Sequence, residues 1–261
     1  MSTGDQSDRA SLGRAGFESG SDVYERARPG YPEDSIAHLM ATAGIIPGSR
    51  VVDLAAGTGK LTRQLDAAGA TCLAVEPSAS MREVFGRVVP GVPLVGGTAE
   101  MIPLVSESVD AVVVAQAFHW FDPPRALPEI ARILRPRGWL ALIWNERDES
   151  DPMVAELVRI SKWDQCQPYP MGMDFGPIID GCGLFRPVAR FKFSFVQSVS
   201  ATEFVDQVAT RSYVRVLPQL QRQALLDEVA EFAATLGDPI QMPYVTDLFC
   251  AQKTHLSLIH I

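Results

Sequence analysis

Two acidic residues stand at the ends of short apolar segments. Asp53 lies in Val51–Leu54 (VVDL), and Glu76 directly follows Thr71–Val75 (TCLAV). Such segments are typical of parallel strands that are covered on both faces. A carboxylate at the end of such a strand can bind an ammonium group, directly or through water, or accept both hydroxyls of a ribose. Both residues are therefore candidates for ligand binding.

A glycine turn follows the first of these strands. Gly57 and Gly59 allow a sharp turn in which backbone N–H groups can approach a ligand. From Lys60 the apolar spacing is helical, so a helix N-terminus points at the turn and favours an anionic group. Dinucleotides and S-adenosylmethionine both bind to this arrangement. The dinucleotide fingerprint, however, has a third glycine at the place where this chain has Thr62.

The segment Asp53–Gly59 (DLAAGTG) resembles the first motif of class I S-adenosylmethionine-dependent methyltransferases, D-x-G-x-G-x-G, with Ala55 in place of the first glycine. The resemblance implies S-adenosylmethionine as the cofactor and no metal. The alternative is a strand, turn and helix that binds no ligand. In the family, the loop after the third strand contacts the adenine, and here Val92–Val95 is followed by Thr98, Ala99 and Glu100.

Three aromatic rings and a histidine follow the most continuously apolar segment of the chain. Val109–Ala115 is predicted to be the fourth, central strand, and QAFHWFD (Gln116–Asp122) stands at its carboxyl end, where α/β sheets bind ligands. This ending and the segment EIARILRPRGWLALI resemble the methyltransferase type-11 group, and H-W-F-D resembles its trans-aconitate methyltransferase subgroup. The faces of Phe118 and Trp120 could stabilise a sulfonium cation. The predicted cofactor-binding residues are Asp53, Ala55, Gly57, Thr58, Gly59, Glu76, Pro77, Met81, Thr98, Ala99, Glu100, Gln116 and Phe118.

The acceptor decides whether the reaction needs a base. His119 is the best-placed general base for a hydroxyl or amine acceptor, although a packed, hydrogen-bonded histidine is the commoner outcome for such a residue. Tyr24 is a second candidate catalytic residue. A carboxylate acceptor, which the trans-aconitate resemblance implies, needs no base, and arginines such as Arg28 or Arg211 would position it. The predicted substrate-binding residues are Tyr24, Arg28, His119, Trp120, Tyr169, Arg211 and Tyr213.

The predicted fold is α/β. It is a Rossmann-like, doubly wound sheet of seven strands, mostly parallel with the last strand antiparallel, with helices on both faces. The predicted segments are a mobile N-terminus and lid (1–33), the cofactor-binding core (34–146), a lid over the substrate (147–189), the C-terminal part of the sheet (190–254) and a non-native tail (255–261). The first helix is predicted over Glu33–Ala43, and Thr202 is predicted to cap a later helix.

Composition limits the classes of partner. The formal net charge of −8 disfavours a nucleic-acid partner, and the Asn/Asp-Pro-Pro-Tyr/Phe tetrapeptide of nucleic-acid methyltransferases is absent after the fourth strand. No apolar segment is long enough for a membrane span or a signal peptide, so we expect a cytoplasmic protein, monomeric or homodimeric, that acts on a small molecule. Two alternatives remain: a protein that binds S-adenosylmethionine without catalysis, and an NAD-dependent oxidoreductase.

Overall fold

The computed structural model describes residues 21–162 and 172–254. Their contacts divide them into two compact units. The larger unit takes the described residues within 31–144, 174–192 and 247–261, and the smaller unit takes those within 1–30, 145–173 and 193–246. These units do not test the predicted lid segments 1–33 and 147–189, which stay predictions.

A seven-stranded sheet has the order β3-β2-β1-β4-β5-β7-β6. Strands β1 to β5 are parallel where they pair, and β7 is antiparallel. The predicted Rossmann-like, doubly wound fold is therefore confirmed. The strands are β1 (Arg50–Leu54), β2 (Thr71–Val75), β3 (Leu94–Val95), β4 (Val109–Ala115), β5 (Leu134–Arg147), β6 (Ala189–Val199) and β7 (Ile240–Gln252).

Helices flank the sheet. Those before β4 are α1 (Ser21–Ala27), α2 (Glu33–Thr42), α3 (Lys60–Ala67) and α4 (Ala79–Val88). Those after β4 are α5 (Pro123–Ile133), α6 (Pro152–Ser161), α7 (Gly176–Gly181), α8 (Ala201–Ala209), α9 (Ser212–Arg215) and α10 (Gln219–Ala234), and a 3-10 turn covers Phe118–Trp120.

Two helix starts follow from capping side chains that the sequence shows plainly. The Ser78 hydroxyl accepts a hydrogen bond from the N–H of Met81 at the start of α4. The Asp151 carboxylate accepts from the N–H groups of Met153 and Val154 at the start of α6. A side-chain oxygen that accepts these otherwise unpaired N–H groups stabilises a helix start by about 1 kcal/mol.

The structure corrects two sequence predictions about helices. Ser200, rather than Thr202, caps α8, because its hydroxyl and the carboxylate of Glu203 form a reciprocal capping box. The helix α1 precedes the one predicted to be the first. Its seven residues carry no apolar periodicity, so pattern alone did not reveal it.

The glycine turn is anchored by packing within the larger unit. Phe85 on α4 and Val89, the residue directly after this helix, form a buried cluster with Ala74 on β2. The smaller unit has its own core, to which α6, α8 and α10 contribute Leu157, Phe204 and Val229, all fully buried. In the part of the chain that the structure describes, no helix is long and apolar enough to cross a membrane.

Candidate active site

The two glycines of the turn after β1 have different surroundings. Both are in the left-handed region, with φ of 58° at Gly57 and 86° at Gly59. A Cβ on Gly59 would lie 2.5 Å from Val89 Cγ2 and 2.7 Å from Phe85 Cε2, whereas a Cβ on Gly57 would meet no atom within 4 Å. Gly59 is therefore required for packing, and Gly57 leaves open space at the turn.

Asp53 is a completely buried carboxylate next to this turn. Its Oδ2 accepts a hydrogen bond of 2.5 Å from the Thr62 hydroxyl, while its Oδ1 has no hydrogen-bond partner among the described residues. Burial raises the pKa of Asp53 to about 7, and the negative charge of Glu76 adds to the increase. A cation beside Oδ1 would give this oxygen a hydrogen-bond partner and would balance the negative charge of the ionised Asp53 carboxylate.

Glu76 joins the end of β2 to the glycine turn. Its Oε2 accepts a hydrogen bond of 2.8 Å from the N–H of Gly57, and its Oε1 accepts one of 2.7 Å from the N–H of Ser78. Burial raises the pKa of Glu76, and these two hydrogen bonds act in the opposite direction. A carboxylate has about four lone-pair positions, so both oxygens can still accept from ligand hydroxyls.

Two residues other than glycine adopt left-handed backbone at strand ends. Ala55 follows β1 with a φ of 61°, and Gln116 follows β4 with a φ of 56°. These conformations cost side-chain-bearing residues about 1–2 kcal/mol. Strained backbone of this kind clusters at binding sites, and β1 and β4 are neighbours in the sheet.

The loop after β3 is connected to the loop after β4. Thr98 and Met101 form an isolated bridge, and Ala99 between them is buried. The Glu100 carboxylate accepts a hydrogen bond of 3.0 Å from the N–H of Asp122. Glu100 therefore positions both loops, a role that the sequence did not indicate.

An aromatic cluster lies beyond β4. Phe118 is 1% exposed, and its ring packs edge-on against Phe175 at 5.4 Å between centroids. The ring of His119 lies 4.3 Å from Trp120 and 5.1 Å from Trp144. Burial lowers the pKa of His119 to about 3, so its imidazole is neutral near pH 7.

The other predicted cofactor residues lie around β2 and the turn. Thr58 and Met81 are buried, and Pro77 is exposed. Arg82 donates hydrogen bonds to the carbonyl oxygens of Glu76 and Pro77, at 2.9 and 2.7 Å. Arg82 and Thr62 are supporting residues that the sequence did not reveal. The only signal for Thr62 was its mismatch with the dinucleotide fingerprint.

Three of the predicted substrate-binding residues, Arg28, Arg211 and Tyr213, belong to the smaller unit, whereas His119 and Trp120 belong to the larger unit. Arg28 Nε donates a hydrogen bond of 3.1 Å to the Thr210 hydroxyl, and Arg211 is the next residue along the chain. The Tyr213 hydroxyl donates to the carbonyl oxygen of Ser161 over 3.1 Å. The side chain of Tyr24, all of Tyr169 and the tail 255–261 lie outside what the structure describes.

Within residues 21–162 and 172–254, no three histidine, cysteine or acidic side chains form a group that could hold a metal ion. The cysteines described in these ranges, Cys72, Cys182 and Cys250, are free thiols.

Comparison with known proteins identifies the family. The model of a methyltransferase domain, methyltransferase type 11, matches residues 52–142. An uncharacterized methyltransferase of Mycobacterium tuberculosis is 41% identical over 246 residues, which are 91% of this chain and 95% of that protein. The chain belongs to the class I S-adenosylmethionine-dependent methyltransferases. An uncharacterized methyltransferase-like protein of Schizosaccharomyces pombe is 31% identical to this methyltransferase over 237 residues, 88% of this chain and 92% of that protein.

A solved structure supports the same fold. A protein of Anaeromyxobacter dehalogenans, described as a type II methyltransferase, matches this methyltransferase with a TM-score of 0.63 and 24% identity, over 87% of this chain and 97% of that one. Membership of the family decides between the two ligand classes open at the sequence level, because it implies S-adenosylmethionine.

Proposed function

We propose that this methyltransferase transfers the methyl group of S-adenosylmethionine to a carboxylate oxygen of a small molecule. The choice of a carboxylate acceptor depends on the buried position of His119, which lowers the pKa of its imidazole to about 3. So weak a base is poorly matched to a hydroxyl or an amine, which must lose a proton, but a carboxylate is already an anion at neutral pH. The resemblance of H-W-F-D to the trans-aconitate subgroup supports the same acceptor class.

The residues around the glycine turn fit the cofactor. Asp53 offers a buried oxygen without a partner among the described residues, which suits the methionyl ammonium group, directly or through water. Glu76 keeps lone pairs for two ribose hydroxyls, and the N-terminus of α3 faces the turn. Glu100 and the backbone of Ala99 are proposed to contact the adenine, with Thr98, Met81, Gln116 and Phe118 as further cofactor contacts.

The protein's own contribution is positioning and exclusion of water. When bound, S-adenosylmethionine would supply an electrophilic methyl group, and the residues of this chain would hold an acceptor oxygen within reach of it. Trp120 is proposed to present an aromatic face to the positive charge at sulfur. His119 packs between Trp120 and Trp144 and is proposed to fix their rings. In the second candidate function, with a hydroxyl acceptor, His119 or Tyr24 would act as the base.

Arginines are proposed to hold the acceptor. Arg28 and Arg211 belong to the smaller unit and can present planar guanidinium groups to a carboxylate. Tyr213 and Tyr169 are proposed to complete the acceptor contacts.

Methyl transfer and cofactor binding can be tested separately. Calorimetry with S-adenosylmethionine, S-adenosylhomocysteine and NAD measures cofactor choice. Transfer of labelled methyl groups is then measured to a panel of small carboxylic acids, trans-aconitate among them, and to phenols of similar size. Labelled ester from a carboxylic acid supports the proposal. Transfer to phenols alone would contradict it, and cofactor binding without any transfer would favour a regulatory protein.

A further inference from the structure

Three guanidinium groups influence one another in the smaller unit. The arginine cluster consists of Arg28, Arg147 and Arg211. Burial lowers the pKa of Arg211, and the positive charges of Arg28 and then Arg147 lower it further. Because guanidinium groups remain protonated in proteins, three of them that influence one another would attract an oxyanion.

Arg147, at the end of β5, is the member that the sequence did not indicate. Its side chain is half-buried, and its Nε is fully buried with no hydrogen-bond partner among the described residues. Its Nη2 donates a hydrogen bond of 3.3 Å to Gln207 Oε1. A buried donor without an acceptor costs about 1–3 kcal/mol, so a ligand oxygen at Nε would be favourable.

A polar network holds the guanidinium group of Arg147. Gln207, 1% exposed on α8, accepts from Arg147 and also accepts a hydrogen bond of 2.9 Å from the Tyr244 hydroxyl through the same Oε1. Its Nε2 donates to Gln197 Oε1 over 2.9 Å. Gln207 is neutral, so it orients Arg147 without cancelling the positive charge.

Thr210 orients a second arginine in a similar way. Thr210 is buried, with 3% of its surface exposed. Its hydroxyl accepts a hydrogen bond from Arg28 Nε and donates one to the carbonyl oxygen of Gln207. Neutral, buried hydrogen-bonding groups from one helix end thus position Arg28 and Arg147, while Arg211 follows directly in the chain. A purely structural guanidinium group would more simply be matched to a carboxylate, as Arg190 is to Asp247 in the larger unit, whereas Arg147 donates to the neutral Gln207.

We propose that Arg147 is an anion-binding residue, which forms with Arg28 and Arg211 a binding site for a carboxylate or phosphate group, and that Gln207 positions it. The assignment of this anion to the methyl acceptor rests on the proposed function. Binding of the anion does not, and it is measurable without methyl transfer.

The experiment is calorimetry of the full chain with citrate and, separately, with inorganic phosphate. The variants are Arg147→Gln, which removes the charge, and Gln207→Glu, which places a carboxylate at the Arg147 guanidinium group. We expect each to weaken binding at least tenfold. Preference for citrate or for phosphate distinguishes the two sources of the oxyanion. Raising the salt concentration should weaken binding to the wild type more than to either variant.

The matched control is Arg159→Gln on α6. Arg159 is exposed and paired with Glu156 in the same unit, so its loss should leave anion binding unchanged. Wild-type affinity in folded Arg147→Gln, or no binding of either probe to the wild type, would overturn the proposal. If Arg147→Gln does not fold, Gln207→Glu decides, because its carboxylate pairs with Arg147. Parallel titration with S-adenosylhomocysteine tests the proposed function independently.

Discussion

The Glu76 carboxylate accepts a hydrogen bond of 2.8 Å from the backbone N–H of Gly57, which connects the end of β2 to the glycine turn after β1. The two strands are parallel neighbours, with Leu54 opposite Val75. A residue predicted only as a ribose ligand therefore also shapes the turn. Loss of this carboxylate should affect both the binding of the cofactor and the stability of the protein.

Replacement of Glu76 by alanine should weaken S-adenosylhomocysteine binding. Charged hydrogen bonds to two hydroxyls are lost, and the expected cost is about 1–3 kcal/mol. Calorimetry measures the affinity, and thermal unfolding checks that the variant is folded. Glu83→Ala, exposed on α4 in the same unit, is the control and should bind normally. An unchanged affinity in folded Glu76→Ala would show that the ribose assignment is wrong.

The two glycines of the turn should respond differently to alanine. Gly59→Ala places a Cβ 2.5 Å from Val89 Cγ2, so we expect a loss of stability of about 2–4 kcal/mol. Gly57→Ala meets no protein atom within 4 Å and should cost only about 1 kcal/mol of backbone strain. Its methyl group would instead occupy space at the turn, so its main effect should be on S-adenosylhomocysteine binding. Chemical unfolding and calorimetry on both variants measure this contrast, and equal stabilities would contradict the packing argument.

The raised pKa of Asp53 predicts how stability depends on pH. The folded protein keeps this proton up to about pH 7, whereas the unfolded chain releases it near pH 3.8. The stability from this group is fully present below pH 3.8 and is lost as the pH rises to about 7. Asp53→Asn has no such proton. Its stability relative to the wild type should therefore increase by about 1 kcal/mol per pH unit between pH 5 and 7.

Chemical unfolding at a series of pH values measures this difference. The control is Asp66→Asn, since Asp66 is exposed on α3. A parallel pH dependence of wild type and Asp53→Asn would mean that Asp53 is ionised throughout. The ammonium group of a bound cofactor beside Asp53 should favour the ionised carboxylate, so Asp53 should lose its proton on binding. Calorimetry near pH 6 in buffers of different ionisation enthalpy should detect this proton release.

The sequence was sufficient for the parts of the fold that local patterns determine. The predicted bounds of β2 and β4 agree with the structure, because a continuous apolar segment followed by a polar residue leaves little choice of where the strand ends. The cap of Ser78 on α4 is equally local, because its hydroxyl accepts from an N–H only three residues along the chain. The short helix α1 was not predicted because its seven residues have no apolar periodicity. Ser200 was not chosen over Thr202 as a cap because both residues have a side-chain hydroxyl and lie close together in the sequence.

Contacts between distant residues explain what the sequence could not show. The hydrogen bond from Asp122 to Glu100 joins the loops that follow two different strands, 22 residues apart in the chain. Arg147 lies 60 residues from its partner Gln207, and neither belongs to a motif. Residues in motifs could therefore be proposed from the sequence, whereas the residues that contact them depended on the tertiary structure.

The low pKa of His119 makes a prediction that separates a packed residue from a base. Its pKa of about 3 in the folded protein lies below the ordinary value of 6.5, so the stability it contributes is present above pH 6.5 and is lost as the pH falls towards 3. Between pH 6.5 and 5.5 the wild type should lose about 1 kcal/mol that His119→Gln does not lose. If His119 only packs, kcat should show no ionisation near pH 6.5 in either protein, once a carboxylate substrate is identified. An acid limb near that pH in the wild type, absent from His119→Gln, would instead assign His119 as the general base and favour a hydroxyl acceptor.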